Sequence, residues 1–293
     1  MKLLTDTPLA SRRRNLVLIR AGSRALHYDW HLPAERQWDL ITLAYNDTLL
    51  GESGPPDGLT TGDWVFDNRA APSKYYGVHA FFETHPEALD YSAVMMPDDD
   101  LLFEPARIDE LFSVFEESGA ALGQPALTWD SYFSHYVTLH NPAFRYRRTN
   151  FAEVMSPIMT GDTLRALLPT FLGTRSAWGL DLLWAKLCDD RGQSVVVIDQ
   201  VPVKHTRPVG GGDHYAALGM NPAEEAHRLL AEYQVTPKAI QVLGGVLDER
   251  FGRPRSEMLM ESLLSGVCPA LSQHPALIPL LQASLPHLCR PAQ

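Results

Sequence analysis

Tyr91-Ser92-Ala93-Val94-Met95-Met96-Pro97-Asp98-Asp99-Asp100-Leu101-Leu102-Phe103 is the stretch whose reading decides the fold. A mostly apolar run ends abruptly in three carboxylates and is followed by an amphipathic helix pattern. That is the pattern of a buried strand delivering acidic groups to the rim of a sheet. Oxygen ligands at a strand end suit a hard divalent cation. Mg2+ or Mn2+ commonly takes one or two protein carboxylates and fills its shell with phosphate and water, so two of the three Asp suffice. A solvated turn is the alternative, because Asp favours turns and helix starts for local hydrogen-bonding reasons.

Upstream, residues 16–19 and 38–45 are apolar runs that predict a first and a second strand, each ending in a loop, at Ala21-Gly22-Ser23 and at Asn46-Asp47. Residues 51–63 are rich in Gly and Pro and predict a loop, residues 64–67 a short strand, and a helix opens at Lys74. Downstream, Ile108, Leu111, Phe112 and Phe115 repeat at i, i+3, i+4 and i+7 before Gly119 stops the helix. Residues 122–127 read as a strand, 128–148 as a long polar and aromatic excursion, and 151–159 as an apolar run broken by Glu153. A helix over 161–168, a second opening at Trp178-Gly179-Leu180-Asp181, and strand pieces at 195–198 and 201–203 ending in His205-Thr206-Arg207 complete the pattern. Strands alternating with helices predict an α/β fold, here one Rossmann-like domain over residues 1–212 with a mixed, mainly parallel sheet. Beyond Gly210-Gly211-Gly212, either a lid or a linker, residues 213–293 read as a helical C-terminal region, with helices over 222–233 and across 256–288.

Composition narrows the partners. A formal net charge of -10 argues against a nucleic-acid surface, which needs a Lys/Arg excess to displace counterions. Cys188, Cys268 and Cys289 have no CxxC spacing and are odd in number, so neither a disulfide framework nor a zinc site is indicated and a reducing, cytoplasmic setting is expected. The apolar run after Arg12-Arg13-Arg14 is too short for a secretory segment, and no run reaches the roughly 18 apolar residues that span a bilayer.

The order of these elements resembles the nucleotide-sugar glycosyltransferases of the A fold. PDDDL, TNFAEVMSP, WGLD and the V-x-H-T-R-P ending are similar, more narrowly, to a bacterial and plant family whose plant members carry a lysine-ketoglutarate-reductase trans-splicing-related label. The likeness covers roughly residues 15–210. A reductase is not expected, since no GxGxxG follows the first strand. In the A fold the strand-end acidic motif binds the metal of the sugar-nucleotide diphosphate, an acid at a later helix start faces the acceptor, and a His after the last strand joins the metal. The resemblance thus implies Asp98, Asp100 and His205 as ligands of Mn2+ or Mg2+, Asp99 beside them, and Asp181 as the base. Leu180 departs from the wider pattern, which often has Glu there, and leaves Asp181 as the sole acid.

Chemistry offers each residue two readings. Asp181 is either a base within reach of an acceptor hydroxyl or an acid favoured by the helix dipole. His205 either completes a Mn2+ shell or bonds backbone at a strand end, and Arg207 can meet phosphate bidentately. Glu153 and Asn150 are expected to orient a sugar, as are Trp178 and Gly179, unless Glu153 pairs with Arg145, Arg147 or Arg148. Lys74 is expected to reach the diphosphate, and Arg20, Asn46 and Asp47 to lie at the nucleoside edge. The expected activity is metal-dependent transfer of a sugar from a nucleotide-diphosphate sugar donor to a hydroxyl acceptor. A catalytically silent domain binding sugar or a protein partner is the alternative, and a nucleotidyltransferase a third.

Overall fold

The computed structural model describes residues 12–30, 35–47, 62–208, 215, 219 and 221–248. Strands β1 (Asn15–Ala21), β2 (Trp38–Ala44), β3 (Trp64–Asp67) and β4 (Ala93–Met95) lie parallel in the order β3-β2-β1-β4. Beyond β4 the sheet continues through β8 (Ile158–Thr160), β6 (Leu122–Leu127), β9 (Val195–His205), β7 (Phe144–Thr149) and the edge strand β10 (Val242–Leu247). β8 is antiparallel to both its neighbours, β6 and β9 are parallel, and β7 is antiparallel to β9 and β10. Thus β7 and β8 oppose the others, and the sheet is mixed and mainly parallel. β5 (Leu101–Leu102) pairs off this path with the end of β9.

Helices cover both faces. The buried residues of α1 (Lys74–Thr84), α3 (Gly161–Leu167) and α4 (Leu180–Asp189) share one core with Leu16 and Leu18, whereas α2 (Ile108–Ser118) shares the other with Val17 and Ile19. Alternate side chains of β1 therefore feed opposite cores, which is why its sequence is a continuous apolar run rather than an alternation. α2 ends where Gly119 takes a left-handed φ of 63°, the conformation that caps helices at glycine. Among the described residues no helix is long and apolar enough to cross a membrane.

The structure departs from the sequence reading at three places. The excursion over 128–148 contains most of β7, whose arginines conceal its alternation. The apolar run at 151–159 is strand only from Ile158, and the part carrying Glu153 is an irregular segment. The C-terminal region has the expected helix, α5 (Pro222–Glu232), but it also supplies β10, whose Gly244-Gly245 pair reads as a break in the sequence. Gly210–Gly212, the domain boundary drawn there and the helices read across 256–288 lie outside the described residues.

Charge inside β7 is tolerated because Arg147 is paired with a buried carboxylate. Its Nε and Nη2 donate to Asp199 at 2.8 Å each, and Nη2 also reaches the Leu139 carbonyl at 2.6 Å. Asp199 is 0% exposed and accepts the Asn141 amide as well. Asp199→Ala leaves a buried guanidinium without its counter-ion, and urea unfolding should show a loss of about 3–5 kcal/mol. Arg145→Ala, which removes a pair with Glu117 at the surface, should cost less than about 1 kcal/mol.

Candidate functional site

The carboxyl ends of β1, β2, β4 and β9 open on one cleft of about 920 Å3, the place where open α/β sheets bind ligands. Its lining includes Arg20, Lys74, Asp98, Asp99, Asp100, His205, Glu153, Trp178, Gly179 and Asp181. The chain therefore brings the acidic triplet, the acid at the helix start and the histidine after the last strand to a single cavity.

Each acid of the triplet has a different partner. Asp98 Oδ1 accepts from Lys74 Nζ at 2.7 Å. Asp99 Oδ2 accepts from the Gly22 amide at 3.1 Å and from Tyr45 Oη at 2.9 Å, and its Oδ1 lies 3.5 Å from Arg207. Asp100 Oδ2 lies 3.4 Å from His205 Nε2 and 4.0 Å from Arg207, while its Oδ1 is buried with no hydrogen-bond partner. His205 Nδ1 donates to the Tyr132 carbonyl at 2.8 Å. With Nδ1 protonated by that bond, Nε2 either carries a proton toward Asp100 or offers its lone pair to a cation. Burial pulls the His205 pKa down, but the hydrogen bond and charge of Asp100 outweigh it, and the net shift is upward.

Two further carboxyls of the lining make no ion pair among the described residues. Glu153 is 7% exposed, its amide is held by Gln124 Oε1, and its Oε2 has no partner. Arg147 and Arg145, two of its candidate partners, are paired with Asp199 and Glu117 instead. Burial, reinforced by the nearby charge of Asp181, pushes Glu153 up to about 8. Asp181, in the first turn of α4, is likewise pushed by burial to about 6, against the opposing hydrogen bond from the Leu182 amide. Gly179 makes this helix start possible: its φ is 88°, and a Cβ there would lie 3.1 Å from the Cα of Ala226 on α5. Trp178 stands 43% exposed beside it.

Several expected residues do other work. Lys74 Nζ is saturated by Asp98 and the carbonyls of Val154 and Met155, at 2.9 and 3.2 Å, so no ammonium proton is left for a diphosphate. Asn46 lies near Ser23 outside the cleft lining, and Asp47 pairs with Arg69 at the surface. Asn150 bonds the backbone of Ala239 and Gln241, fixing the segment before β10 rather than facing a ligand. Arg20 lines the cleft, its Nε donating to Asn68 and its guanidinium stacked 5.0 Å from the Tyr45 ring. Tyr45, His135, Arg175 and Tyr215 also line the cleft, and the sequence reading missed them. Only Tyr45 carried a signal, as the residue closing the second apolar run.

Among the described residues no group of three His, Cys, Asp or Glu side chains stands ready to hold a metal ion. Two donors nevertheless fit one: the unpartnered Asp100 Oδ1 and the Nε2 of His205, whose other nitrogen is braced by a carbonyl as metal-bound histidines usually are. A carboxylate oxygen suits a hard ion such as Mn2+ or Mg2+ and an imidazole a transition ion, so of these two the pair fits Mn2+ better.

No protein-family profile and no curated protein matches the sequence. Among solved structures the chain is similar to GalNAc-T7 with UDP, GalNAc and Mn2+, at 12% identity and a TM-score of 0.52, covering 76% of this chain and 48% of that one. The chain thus spans about half the length of that protein. It is also similar to glucosyl-3-phosphoglycerate synthase from Mycobacterium tuberculosis in complex with Mn2+, UDP and glucosyl-3-phosphoglycerate, at 12% identity and a TM-score of 0.44, covering 79% and 88%. The fold is that of the A-type glycosyltransferases.

The raised acid on the cleft wall has a thermodynamic signature. Between its ordinary value of 4.5 and the folded value of about 8, the folded chain holds a proton that the unfolded chain releases, so Glu153 makes stability fall as pH rises through that window. The slope attributable to Glu153 should reach about 1.4 kcal/mol per pH unit. Urea unfolding of Glu153→Gln should lack that component, and the variant should exceed the parent in stability at pH 8.

Proposed function

We propose that this chain is a metal-dependent glycosyltransferase that moves a sugar from a nucleotide-diphosphate sugar to a hydroxyl acceptor. The observation that carries the reading is that Asp100, His205 and Asp181 line one cleft at the carboxyl edge of an A-type sheet. The similar GalNAc-T7 structure, which holds UDP and Mn2+, supports it. The motifs PDDDL and WGLD keep the narrower bacterial and plant likeness in view, and the cysteine usage supports a cytoplasmic setting.

In this reading Asp100 and His205 would hold Mn2+ or Mg2+, and Asp98, expected from the sequence as a third ligand, is instead paired with Lys74. The ion would supply Lewis-acid stabilisation of the negative charge on the departing diphosphate. Lys74 is a positioning residue: by clamping Asp98 to the Val154 and Met155 carbonyls it fixes the acidic turn against the segment that carries Glu153. Arg207, within 3.5 Å of Asp99, adds fixed positive charge where the diphosphate lies, and Arg20 with Tyr45 forms the nucleoside edge. Trp178 and the Cβ-free backbone at Gly179 face the sugar. Asp181 takes the proton of the acceptor hydroxyl as its oxygen bonds to the anomeric carbon. The bond from that carbon to the diphosphate breaks, and the diphosphate leaves with the electron pair. A direct displacement of this kind inverts the anomeric centre. At neutral pH an acid of pKa about 6 is ionised and close enough to the working pH to be an efficient base.

Calorimetric titration with nucleoside diphosphates, with and without Mn2+, should show metal-dependent binding that Asp100→Asn weakens by about tenfold or more. Transfer across a sugar-nucleotide panel should fall by about 10^2 to 10^4 in Asp181→Asn while nucleotide binding persists. Absence of metal-dependent nucleotide binding overturns the proposal. Binding without any transfer marks a catalytically silent domain, and pyrophosphate release from a nucleoside triphosphate marks a nucleotidyltransferase.

A further inference from the structure

The loop over residues 173–179 leads into α4, and Arg175, Ser176, Ala177, Trp178 and Gly179 all line the cleft. Its backbone is strained in the middle. Ala177 has a left-handed φ of 69°, and among the described residues only Gln234 shares a positive φ without being glycine. A Cβ makes that conformation unfavourable, so contacts from outside the loop have to hold it. They come from α5. Glu225 Oε2 accepts from the Ser176 amide at 2.8 Å and from Thr174 Oγ1 at 2.9 Å. Ser176 Oγ carries the tie onward: it lies 3.0 Å from Thr174 Oγ1 and accepts from the Trp178 amide at 3.3 Å. Burial pushes the Glu225 pKa up, but the hydrogen bonds from Ser176, Thr174 and the Arg175 amide outweigh it, and the net shift is downward. α5 also lies against both ends of the loop, since a Cβ on Gly173 would meet Leu229 Cδ1 at 2.5 Å and one on Gly179 would meet the Cα of Ala226 at 3.1 Å.

We propose that Glu225 is a positioning residue of this site: from α5 it holds the turn at Ala177 in its left-handed form and thereby sets Trp178 in the cleft. The effect on transfer rests on the glycosyltransferase reading; the hold on the loop does not. Glu225 is outside the cavity lining, so removing its carboxylate takes no group away from a ligand. Its work passes through one turn. Without that acceptor the Ser176 amide and the Thr174 hydroxyl, on residues 8% and 1% exposed, are left unsatisfied where little water reaches them. Ala177 then relaxes to the right-handed region, the peptide that follows it turns, and Trp178 leaves its edge-on place beside Tyr215, where the ring centroids are 6.4 Å apart. A glycine adopts the left-handed conformation without that cost, so the need for Glu225 depends on the Cβ of Ala177.

The test uses the full chain. The emission of Trp178, isolated by subtracting the spectrum of Trp178→Phe in each background, should shift to the red and become more open to acrylamide quenching in Glu225→Ala. Glu225→Gln, whose carbonyl oxygen still accepts, should keep the parent signal. Adding Ala177→Gly to Glu225→Ala should return the signal toward the parent, a coupling that two independent residues would not show. Nucleoside diphosphate affinity with Mn2+ should stay within about threefold in every variant, while transfer falls between about tenfold and a hundredfold in Glu225→Ala and recovers in the other two. The inference is overturned by unchanged Trp178 emission or undiminished transfer in Glu225→Ala, by no recovery with Ala177→Gly, or by nucleotide affinity that falls as far as transfer does, the mark of general unfolding. A parent chain that binds no nucleotide overturns the glycosyltransferase reading instead, and the Trp178 emission alone then decides whether Glu225 holds the loop.

Discussion

Three carboxylates in one turn repel one another, and at the edge of a protein two unit charges about 4 Å apart interact with an energy on the order of 4 kcal/mol. The turn over residues 98–100 exists because each acid is answered by a different part of the chain. Lys74 comes from α1, the Gly22 amide and Tyr45 from the loops after β1 and β2, and His205 and Arg207 from β9 and its end. The backbone is tied in the same way, since Leu26 donates to the Asp99 carbonyl and Thr206 to that of Asp100. Compensating the turn thus draws four elements to one point. Lys74 extends the network to Val154 and Met155, and so fixes the segment that carries Glu153.

This dependence explains which parts of the site are legible in the chain. The strands of the first half announce themselves because burial on both faces leaves mostly apolar residues, and the acidic turn stands out against them. Asp181 and His205 are legible by their order after it. What the order of residues does not disclose is how charges are shared. Lys74 reads as a free cation near a phosphate site, yet its three protons are taken up by the chain. Asn150 reads as a ligand of sugar and instead holds the approach to β10. β7 is hidden for the same reason: Arg145, Arg147 and Arg148 look like a solvated loop until Asp199, fifty-two residues from Arg147, neutralises the one that points inward. β10 is hidden by its glycines, which are tolerable at a sheet edge and read as a turn in isolation.

The cleft is consequently asymmetric in the sense that matters for chemistry. In the acidic turn each carboxylate has a cation or a donor beside it, and burial raises the Asp98 pKa even so. Glu153 and Asp181 make no ion pair among the described residues, and burial raises their pKa values to about 8 and about 6. Environments that push neighbouring acids apart in this way separate groups that stabilise charge from groups that exchange or hold protons. The division follows from the fold rather than from the residue types, since all five are carboxylic acids. α1 and β9 deliver cations to one wall. α4, opened by the left-handed Gly179 and packed against α5, delivers an acid and an exposed indole to the other. A cleft that joins a charge-compensated acidic turn to carboxyls that hold protons more tightly is suited to a reaction in which an anion departs while a neutral hydroxyl compound gives up its proton.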